Sequence, residues 1–331
     1  MAKIAVLGAG SWGTALALQL ARNGHDVTLW AHRHEHAVAL IQKRENQRYL
    51  PGIVFPPNLQ ASDALEVALE GAVLALAVVP SSAFASLLVT LKPHLHQIPL
   101  MWAIKGFEAG TGRFLSDVFY HTIGDDHPHA ILAGPSFAKE VAAGLPTAVT
   151  IAAKNDVLAS SFAHYFHGSN FLCYTSHDLI GVQVGGAVKN VIAIATGISD
   201  GLGCGANARA ALITRGLREI SRLAMALGAE AETLMGLAGI GDLVLTCTDD
   251  QSRNRRFGLA LGRGDSAAQA KAVIGQTVEG EGATHDTYAL AQKHGIRMPI
   301  TQHLHDMLAG HCSLEKTFTS LLEREIKQEQ H

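Results

Sequence analysis

Lys3-Ile4-Ala5-Val6-Leu7-Gly8-Ala9-Gly10-Ser11-Trp12-Gly13 is the stretch on which the reading of this 331-residue chain turns. Ile4 to Leu7 is an apolar run of the kind that forms a buried strand. It breaks at Gly8-x-Gly10-x-x-Gly13 and passes into Thr14-Ala15-Leu16-Ala17-Leu18-Gln19-Leu20-Ala21, a good helix former. Strand, glycine turn and helix in that order are the context a dinucleotide-binding loop needs. Gly8 makes the tight turn, Gly10 lets a pyrophosphate approach the backbone, and Gly13 lets the helix pack close to the strand. The phosphates then sit on free N–H groups at the positive end of the helix. The same glycines also fit an ordinary βα turn, so alone they name a fold and no reaction.

Outward from that loop, Asn23-Gly24 suits a left-handed helix cap, and His25 to Trp30 reads as a second strand. Residues 1–30 thus make one βαβ unit. A helix is expected near His34 to Arg44, a Pro/Asn-rich loop over Tyr49 to Asn58, and a helix over Asp63 to Glu70. Ala72 to Val79 is continuously apolar, as in a strand buried on both faces of a parallel sheet. Leu100–Ile104, His129–Ala133, Thr147–Ala152 and Phe171–Tyr174 supply further strands. Alternating strands and helices imply a doubly wound sheet. From Asp178 onward there is no convincing strand, only long apolar helices broken by glycines. The expected class is therefore α/β. An N-terminal Rossmann-like doubly wound sheet, residues 1–176, is expected to bind a dinucleotide, and a C-terminal all-α domain, residues 177–331, is expected to follow it.

Composition narrows the function classes. A net charge of −3 gives no broad attraction to nucleic acid or anionic lipid, so neither is expected as a partner. Cys173, Cys204, Cys247 and Cys312 are scattered without a CxxC pair, which reads as reduced thiols in a cytoplasmic protein. The N-terminus has one Lys before apolar residues, superficially like a signal peptide. Its glycines are spaced for a phosphate loop, however, and no small-residue cleavage site follows. Ala72 to Val79 is far too short to span a bilayer, and no integral membrane segment is expected. His32-Arg33-His34-Glu35-His36 lies where a polar loop belongs and reads as solvated, so no metal is expected.

Open α/β sheets bind ligands at the carboxyl ends of their strands. Lys105 closes an apolar strand there and precedes Gly106; its ammonium either points into the crevice or snorkels to the surface. Ala133-Gly134-Pro135-Ser136-Phe137 marks another such end. In Gly185-Gly186-Ala187-Val188-Lys189-Asn190-Val191-Ile192, one Lys-Asn pair interrupts an apolar helix. Lys189 either snorkels or lines a cavity. In a cavity, desolvation lowers its pKa while a nearby carboxylate opposes the shift, which suits proton transfer near neutral pH. The double glycine admits a ligand or another backbone. Asp242 and Thr246 share a helix face; Asp242 is either the N-cap of that helix or the partner of Lys189. Ser252-Arg253-Asn254-Arg255-Arg256 is either a solvated basic loop or a phosphate anchor.

These stretches together resemble the bacterial type of NAD(P)-dependent glycerol-3-phosphate dehydrogenase, in the two-domain dehydrogenase superfamily. The matching motifs run from the glycine loop through Lys105-Gly106, Gly134-Pro135-Ser136-Phe137-Ala138 and Val188-Lys189-Asn190. They continue through Gly239-Ile240-Gly241-Asp242-Leu243, Ser252-Arg253-Asn254 and Val278-Glu279-Gly280. The resemblance implies reversible reduction of dihydroxyacetone phosphate to sn-glycerol 3-phosphate with NADP or NAD, feeding glycerophospholipid synthesis, by a homodimer. It implies Lys189 as acid/base, and Lys105, Gly134, Ser136, Asp242, Ser252, Arg253 and Asn254 as substrate contacts. It further implies Ser11, Trp12, His32, Arg33, Lys105, Ala138, Arg253, Thr277 and Glu279 as nucleotide contacts, beside Gly8, Gly10 and Gly13. After the second strand the chain reads Ala31-His32-Arg33 where an NAD fingerprint has Asp or Glu. A carboxylate would bind the ribose hydroxyls, whereas Arg33 can take a 2′-phosphate. A related 3-hydroxy acid dehydrogenase and a non-catalytic NADP-binding sensor are the alternatives.

Overall fold

The computed structural model of the chain describes residues 1–313; the last part of the expected second domain, residues 314–331, lies outside the described residues. β1 (Lys3–Leu7) is the apolar run ahead of the glycines, and its side chains alternate between two hydrophobic clusters. Ile4 and Val6 pack with Leu16, Leu20 and Leu29 on one face. Ala5 and Leu7 pack with Leu88, Trp102 and Phe119 on the other. Burial on both faces is what a continuous apolar strand requires, and each of Ile4, Val6 and Leu7 contributes roughly 1.5–3 kcal/mol.

The strands that follow are β2 (Asp26–Trp30), β3 (Glu45–Asn46), β4 (Leu50–Val54), β5 (Leu59–Ser62), β6 (Leu74–Ala77), β7 (Leu100–Trp102), β8 (His129–Ala133), β9 (Thr147–Ala153) and β10 (Phe171–Ser176). Eight of them form one sheet in the order β10-β9-β8-β7-β6-β1-β2-β5. Chain order runs outward from β1 in opposite directions, which creates a switch point and a crevice at the carboxyl ends of β1 and β6. Every pair is parallel except β8 with β9. α1 (Ser11–Arg22), α2 (His34–Lys43), α3 (Leu65–Leu69), α4 (Ser81–Leu95), α5 (Leu115–Thr122), α6 (Ala138–Ala143) and α7 (Asp156–Phe166) lie among the strands.

After β10 the described chain is helical. It comprises α8 (Leu179–Gly201), α9 (Gly205–Ala226), α10 (Ala231–Leu234), a π turn (Leu237–Gly241), α11 (Asp242–Thr248), α12 (Arg253–Gly262), α13 (Ala267–Ile274), α14 (Glu279–Lys293) and α15 (Pro299–Leu308). α8 is the hub: Gly181 to Ser199 is buried without a break, and its apolar side chains seed a third cluster with Leu223, Leu243, Phe257 and Ile300. A helix apolar on all sides belongs inside a core. By length and composition 179–201 could cross a membrane, as could 231–248; in this fold 89% of the first window is buried among other elements, and the second is broken at the π turn.

Helices α8 and α12 touch through their backbones. A Cβ on Gly197 would stand 2.2 Å from the Arg255 carbonyl oxygen, and one on Gly258 would stand 2.1 Å from that of Ile194. Mid-helix glycine costs about 0.5–1 kcal/mol against alanine; the contact explains its presence here.

One sequence expectation is corrected, one strand lies where none was expected, and one open alternative is decided. Tyr49 to Asn58 is not all loop, because Leu50–Val54 pairs antiparallel with Glu45–Asn46. Pro51, Gly52 and mostly solvent-facing residues hide that strand from a hydrophobicity pattern. The polar stretch Leu59-Gln60-Ala61-Ser62 is an edge strand, held by β2 alone. Asp242 does not cap α11: Gly241 holds the cap position and Asp242 is already helical, at φ −70° and ψ −31°.

Candidate active site

The glycine loop shows three different physical reasons for its glycines. Gly8 has φ +124°, and a Cβ there would stand 2.3 Å from the Val78 carbonyl oxygen behind β6. A Cβ on Gly13 would stand 1.9 Å from the Gly8 carbonyl oxygen, so α1 can start this close only with glycine. Gly10 has nothing within 4 Å of the Cβ position; no protein contact asks for glycine there, and the open space is where a pyrophosphate would lie. No side chain caps the start of α1, and the Trp12 indole Nε1 is buried without a partner. Uncapped N–H groups, open space at Gly10 and an unspent indole donor fit a dinucleotide.

The loop is braced from behind. Asn46 Nδ2 donates to the Ala9 carbonyl (3.0 Å) and to Thr14 Oγ1 (2.7 Å). Ser11 Oγ donates to the Tyr49 carbonyl (2.7 Å). His32 and Arg33 stand exposed after β2, with Arg33 at the N-cap of α2.

Across the crevice three helical residues meet one strand-end lysine. Lys189 on α8 is 4% exposed and Asp242 on α11 is 1% exposed. Lys189 Nζ donates to Asp242 Oδ1 and, at 2.9 Å, to Thr246 Oγ1. Thr246 in turn donates to the Asp242 carbonyl at 2.6 Å. Lys105 Nζ approaches the other carboxylate oxygen, Asp242 Oδ2, at 2.8 Å, and donates to the Gly134 carbonyl at 3.1 Å. Ser136 Oγ reaches that same carbonyl at 3.1 Å. Lys105 therefore points into the crevice, and Lys189 is buried against Asp242 and Thr246 rather than snorkelling. Gly185 supplies the close approach: a Cβ there would stand 2.4 Å from the Ala238 carbonyl of the π turn that delivers Asp242.

Electrostatics follow from this packing. Burial pulls the Lys189 ammonium down to about 7, the Lys105 charge adds to the shift, and the Asp242 carboxylate opposes it. Burial alone would push Asp242 up, but the two ammonium groups outweigh it and hold the carboxyl below its ordinary range. One carboxylate thus stays ionised while a lysine beside it exchanges its proton near neutrality.

The Ser252-Arg253-Asn254 turn starts α12. Ser252 Oγ accepts from the Arg255 N–H (3.2 Å), which leaves its own O–H to donate. Asn254 Oδ1 accepts from the Gly280 N–H (2.9 Å), which leaves the amide N–H groups. Arg253 is half-buried and makes no ion pair among the described residues. Glu279, half-buried at the start of α14, is pushed up by burial and pulled back by Arg253, Lys189 and Lys105. Ala138 opens α6, and Thr277 is exposed just before α14.

Family profiles match in two consecutive blocks: NAD-dependent glycerol-3-phosphate dehydrogenase N-terminus over residues 3–159, and the C-terminus of the same family over residues 178–319. The chain belongs to the NAD-dependent glycerol-3-phosphate dehydrogenase family. A glycerol-3-phosphate dehydrogenase [NAD(P)+] of Haemophilus ducreyi is 55% identical over 328 residues, covering 98% of each chain. One of Sodalis glossinidius is 52% identical over 330 residues, covering 99% of this chain and 98% of that one. The crystal structure of glycerol-3-phosphate dehydrogenase from Coxiella burnetii superposes with a TM-score of 0.94 at 49% identity, over 98% of this chain and 99% of that one. A ketopantoate reductase from Ralstonia eutropha, at 19% identity and TM-score 0.61, shares the fold.

For this member of the glycerol-3-phosphate dehydrogenase family, sequence reasoning left several site neighbours unnamed. Asn46 and Tyr49 brace the glycine loop from a hairpin that had no hydrophobic signal. Asp200 and Arg255 tie α8 to α12; Arg255 had been grouped with the phosphate anchor. The spacings Gly197-x-x-x-Gly201 and Gly258-x-x-x-Gly262 were the available sign that these helices would meet.

Proposed function

We propose that the chain catalyses reversible reduction of dihydroxyacetone phosphate to sn-glycerol 3-phosphate, with residues 1–176 binding the nucleotide and residues 177–331 completing the site. NADPH or NADH, when bound, supplies the hydride. Gly8, Gly10 and Gly13 with the α1 N-terminus hold the pyrophosphate. Ser11, Trp12, His32, Arg33, Ala138, Thr277 and Glu279 line the rest of the nucleotide site. Ser252, Arg253 and Asn254 grip the substrate phosphate at the first turn of α12. That anchor, remote from the reacting carbon, supplies binding energy which orients the carbonyl. Lys189 Nζ hands its proton to the carbonyl oxygen as negative charge develops there, becomes a neutral amine, and is reprotonated from water. In the reverse direction the amine removes the hydroxyl proton. Asp242 keeps the ammonium form available, and Lys105, anchored by Asp242 and Gly134, adds positive charge beside the developing alkoxide.

The observation that carries this reading is the buried Lys189–Asp242–Lys105 cluster, in a chain whose glycine loop also has open space at Gly10. The deciding experiment follows NADPH oxidation with dihydroxyacetone phosphate and, separately, with 3-oxo acids. Turnover with the first alone supports the proposal. Preference for a 3-oxo acid, or binding without turnover, overturns it. The same reading makes the enzyme a cytoplasmic homodimer whose product enters glycerophospholipid synthesis.

A further inference from the structure

The phosphate anchor contains arginines in two different electrical states. Arg253 makes no ion pair among the described residues, whereas Arg255 is ion-paired with both Asp200 and Asp250. Arg255, 7% exposed, places Nη1 2.6 Å from Asp200 Oδ2 and Nε 3.2 Å from Asp250 Oδ1. Asp200 Oδ2 also meets Arg209 Nη1 at 2.7 Å. One carboxylate near the end of α8 therefore binds α9 and α12, while Arg255 reaches back to the loop that leads into α12.

We propose that Arg255 and Asp200 are positioning residues that set the phosphate-binding turn at the start of α12 relative to Lys189 on α8. This rests on the phosphate role proposed above for Ser252, Arg253 and Asn254. Arg255 is two residues beyond Arg253, and its backbone N–H donates to Ser252 Oγ. Its guanidinium aims at the end of α8, so it cannot serve the substrate while paired there. The glycine contacts at Gly197, Gly201, Gly258 and Gly262 bring the two helices together. A charge-assisted pair at the end of that seam adds a directional constraint that backbone contact alone lacks. Asn254, bound to the Gly280 N–H, fixes the other side of the turn against α14. A rigid path thus runs from the acid/base to the anchor: Lys189, α8, Asp200, Arg255, then Ser252 and Arg253. Misplacement of the anchor by a fraction of an ångström costs orientation of the carbonyl, and only a substrate that carries a phosphate feels it.

The test compares dihydroxyacetone phosphate with unphosphorylated dihydroxyacetone in wild type, Asp200→Asn, Arg255→Lys and Arg253→Ala. KM, kcat, the NADPH dissociation constant and the thermal midpoint are measured for each. Asp200→Asn is expected to raise KM for the phosphorylated substrate about tenfold and to lower kcat severalfold. Activity with dihydroxyacetone and NADPH affinity should stay within about twofold. Asp200→Glu should recover part of the lost efficiency. Equal loss with both substrates in a folded variant, or no loss with either, overturns the proposal. If Asp200→Asn fails to fold, Arg255→Lys, which keeps charge and loses the fork, gives the same readout. If both fail to fold, the pair holds the domain together and the positioning role is overturned. Arg253→Ala separates the two levels. Should it leave the preference for the phosphorylated substrate intact, the phosphate anchor itself is wrong. Should it abolish that preference while Asp200→Asn does not, only the positioning role falls.

Discussion

Lys189 and Lys105 hold opposite oxygens of one buried carboxylate, Asp242, and they come to it from different parts of the fold. Lys105 follows β7 in the sheet, Lys189 lies midway along α8, and the π turn delivers the carboxylate between them. With Lys189 protonated, two cations and one anion leave the cluster net positive, suited to an anionic substrate and to an alkoxide. Because Asp242 is shared, it cannot neutralise both lysines, and the more deeply buried of the two is the one whose proton becomes labile.

Lys189→Met removes the exchangeable proton while nearly preserving side-chain length. Turnover should fall roughly 10²–10⁴-fold, with NADPH affinity little changed. Steady-state kinetics and a nucleotide titration on the same preparation check this. Unchanged turnover in a correctly folded variant sinks the acid/base assignment.

Lys189, brought down to about 7, gives the reaction a directional pH signature. Reduction needs the ammonium, so its kcat/KM should decline as pH rises through about 7. Oxidation needs the amine, so its kcat/KM should climb over the same range and level off above it. The two profiles between about pH 6.5 and 9 should cross; parallel or flat profiles contradict the assignment. Stability carries the same sign information. The unfolded lysine keeps its proton to about pH 10.4, so between roughly 7 and 10 the unfolded chain binds more protons, and stability should rise with pH in that window.

The fold and the chemistry were not equally legible in the sequence. The strand–glycine–helix order, the buried β6 run and the change to helices after Thr175 are local patterns, and the structure has each of them. Lys189 stood out because a charge within a long apolar helix needs a partner. That Asp242 is this partner and not a helix cap depends on the π turn, which puts Asp242 already inside the helix, and no local pattern announces such a turn. Arg253 and Arg255 look alike in sequence. Only the packing of α12 on α8 sends one guanidinium to Asp200 and leaves the other without an ion pair among the described residues.

Gly10 and Gly13 should respond differently to alanine. A Cβ at Gly13 meets the Gly8 carbonyl at 1.9 Å, so Gly13→Ala should destabilise the protein by about 1–3 kcal/mol through forced displacement. Gly10→Ala meets no protein atom and should leave the thermal midpoint nearly unchanged. It should nonetheless weaken nucleotide binding about tenfold or more, about 1.4 kcal/mol. Calorimetric unfolding with and without NADPH separates the two; a Gly10→Ala variant that binds NADPH normally would falsify the place given to the pyrophosphate.

Arg253→Ala should raise KM for dihydroxyacetone phosphate and lower kcat together, since the phosphate contact also orients the carbonyl. Dihydroxyacetone should react slowly with wild type and lose far less on substitution. Because the resemblance gives Arg253 a nucleotide contact as well, a partial loss shared by both substrates fits the assignment; an equal loss with both would leave Arg253 to the cofactor or to the fold alone.

Arg33 is exposed at the N-cap of α2, one residue beyond His32 and just past β2. In this fold the strand end next to the glycine loop is where the adenosine ribose lies. A guanidinium there can make a charge-assisted, potentially bidentate contact with the 2′-phosphate of NADPH. NADH presents only a hydroxyl and gains less. Arg33→Ala should therefore weaken NADPH more than NADH, by about 1.5–3 kcal/mol, the range for a hydrogen bond to a charged group. Because the side chain is exposed, salt should screen the contact, and the wild-type preference should narrow as ionic strength rises. His32 stands beside it, so His32→Ala and the double variant show whether the ring shares the load. The measurement is the ratio of kcat/KM for the two nucleotides in wild type and variant. Equal losses with both would mean that Arg33 packs on the adenine or holds the loop, and that the 2′-phosphate is read elsewhere.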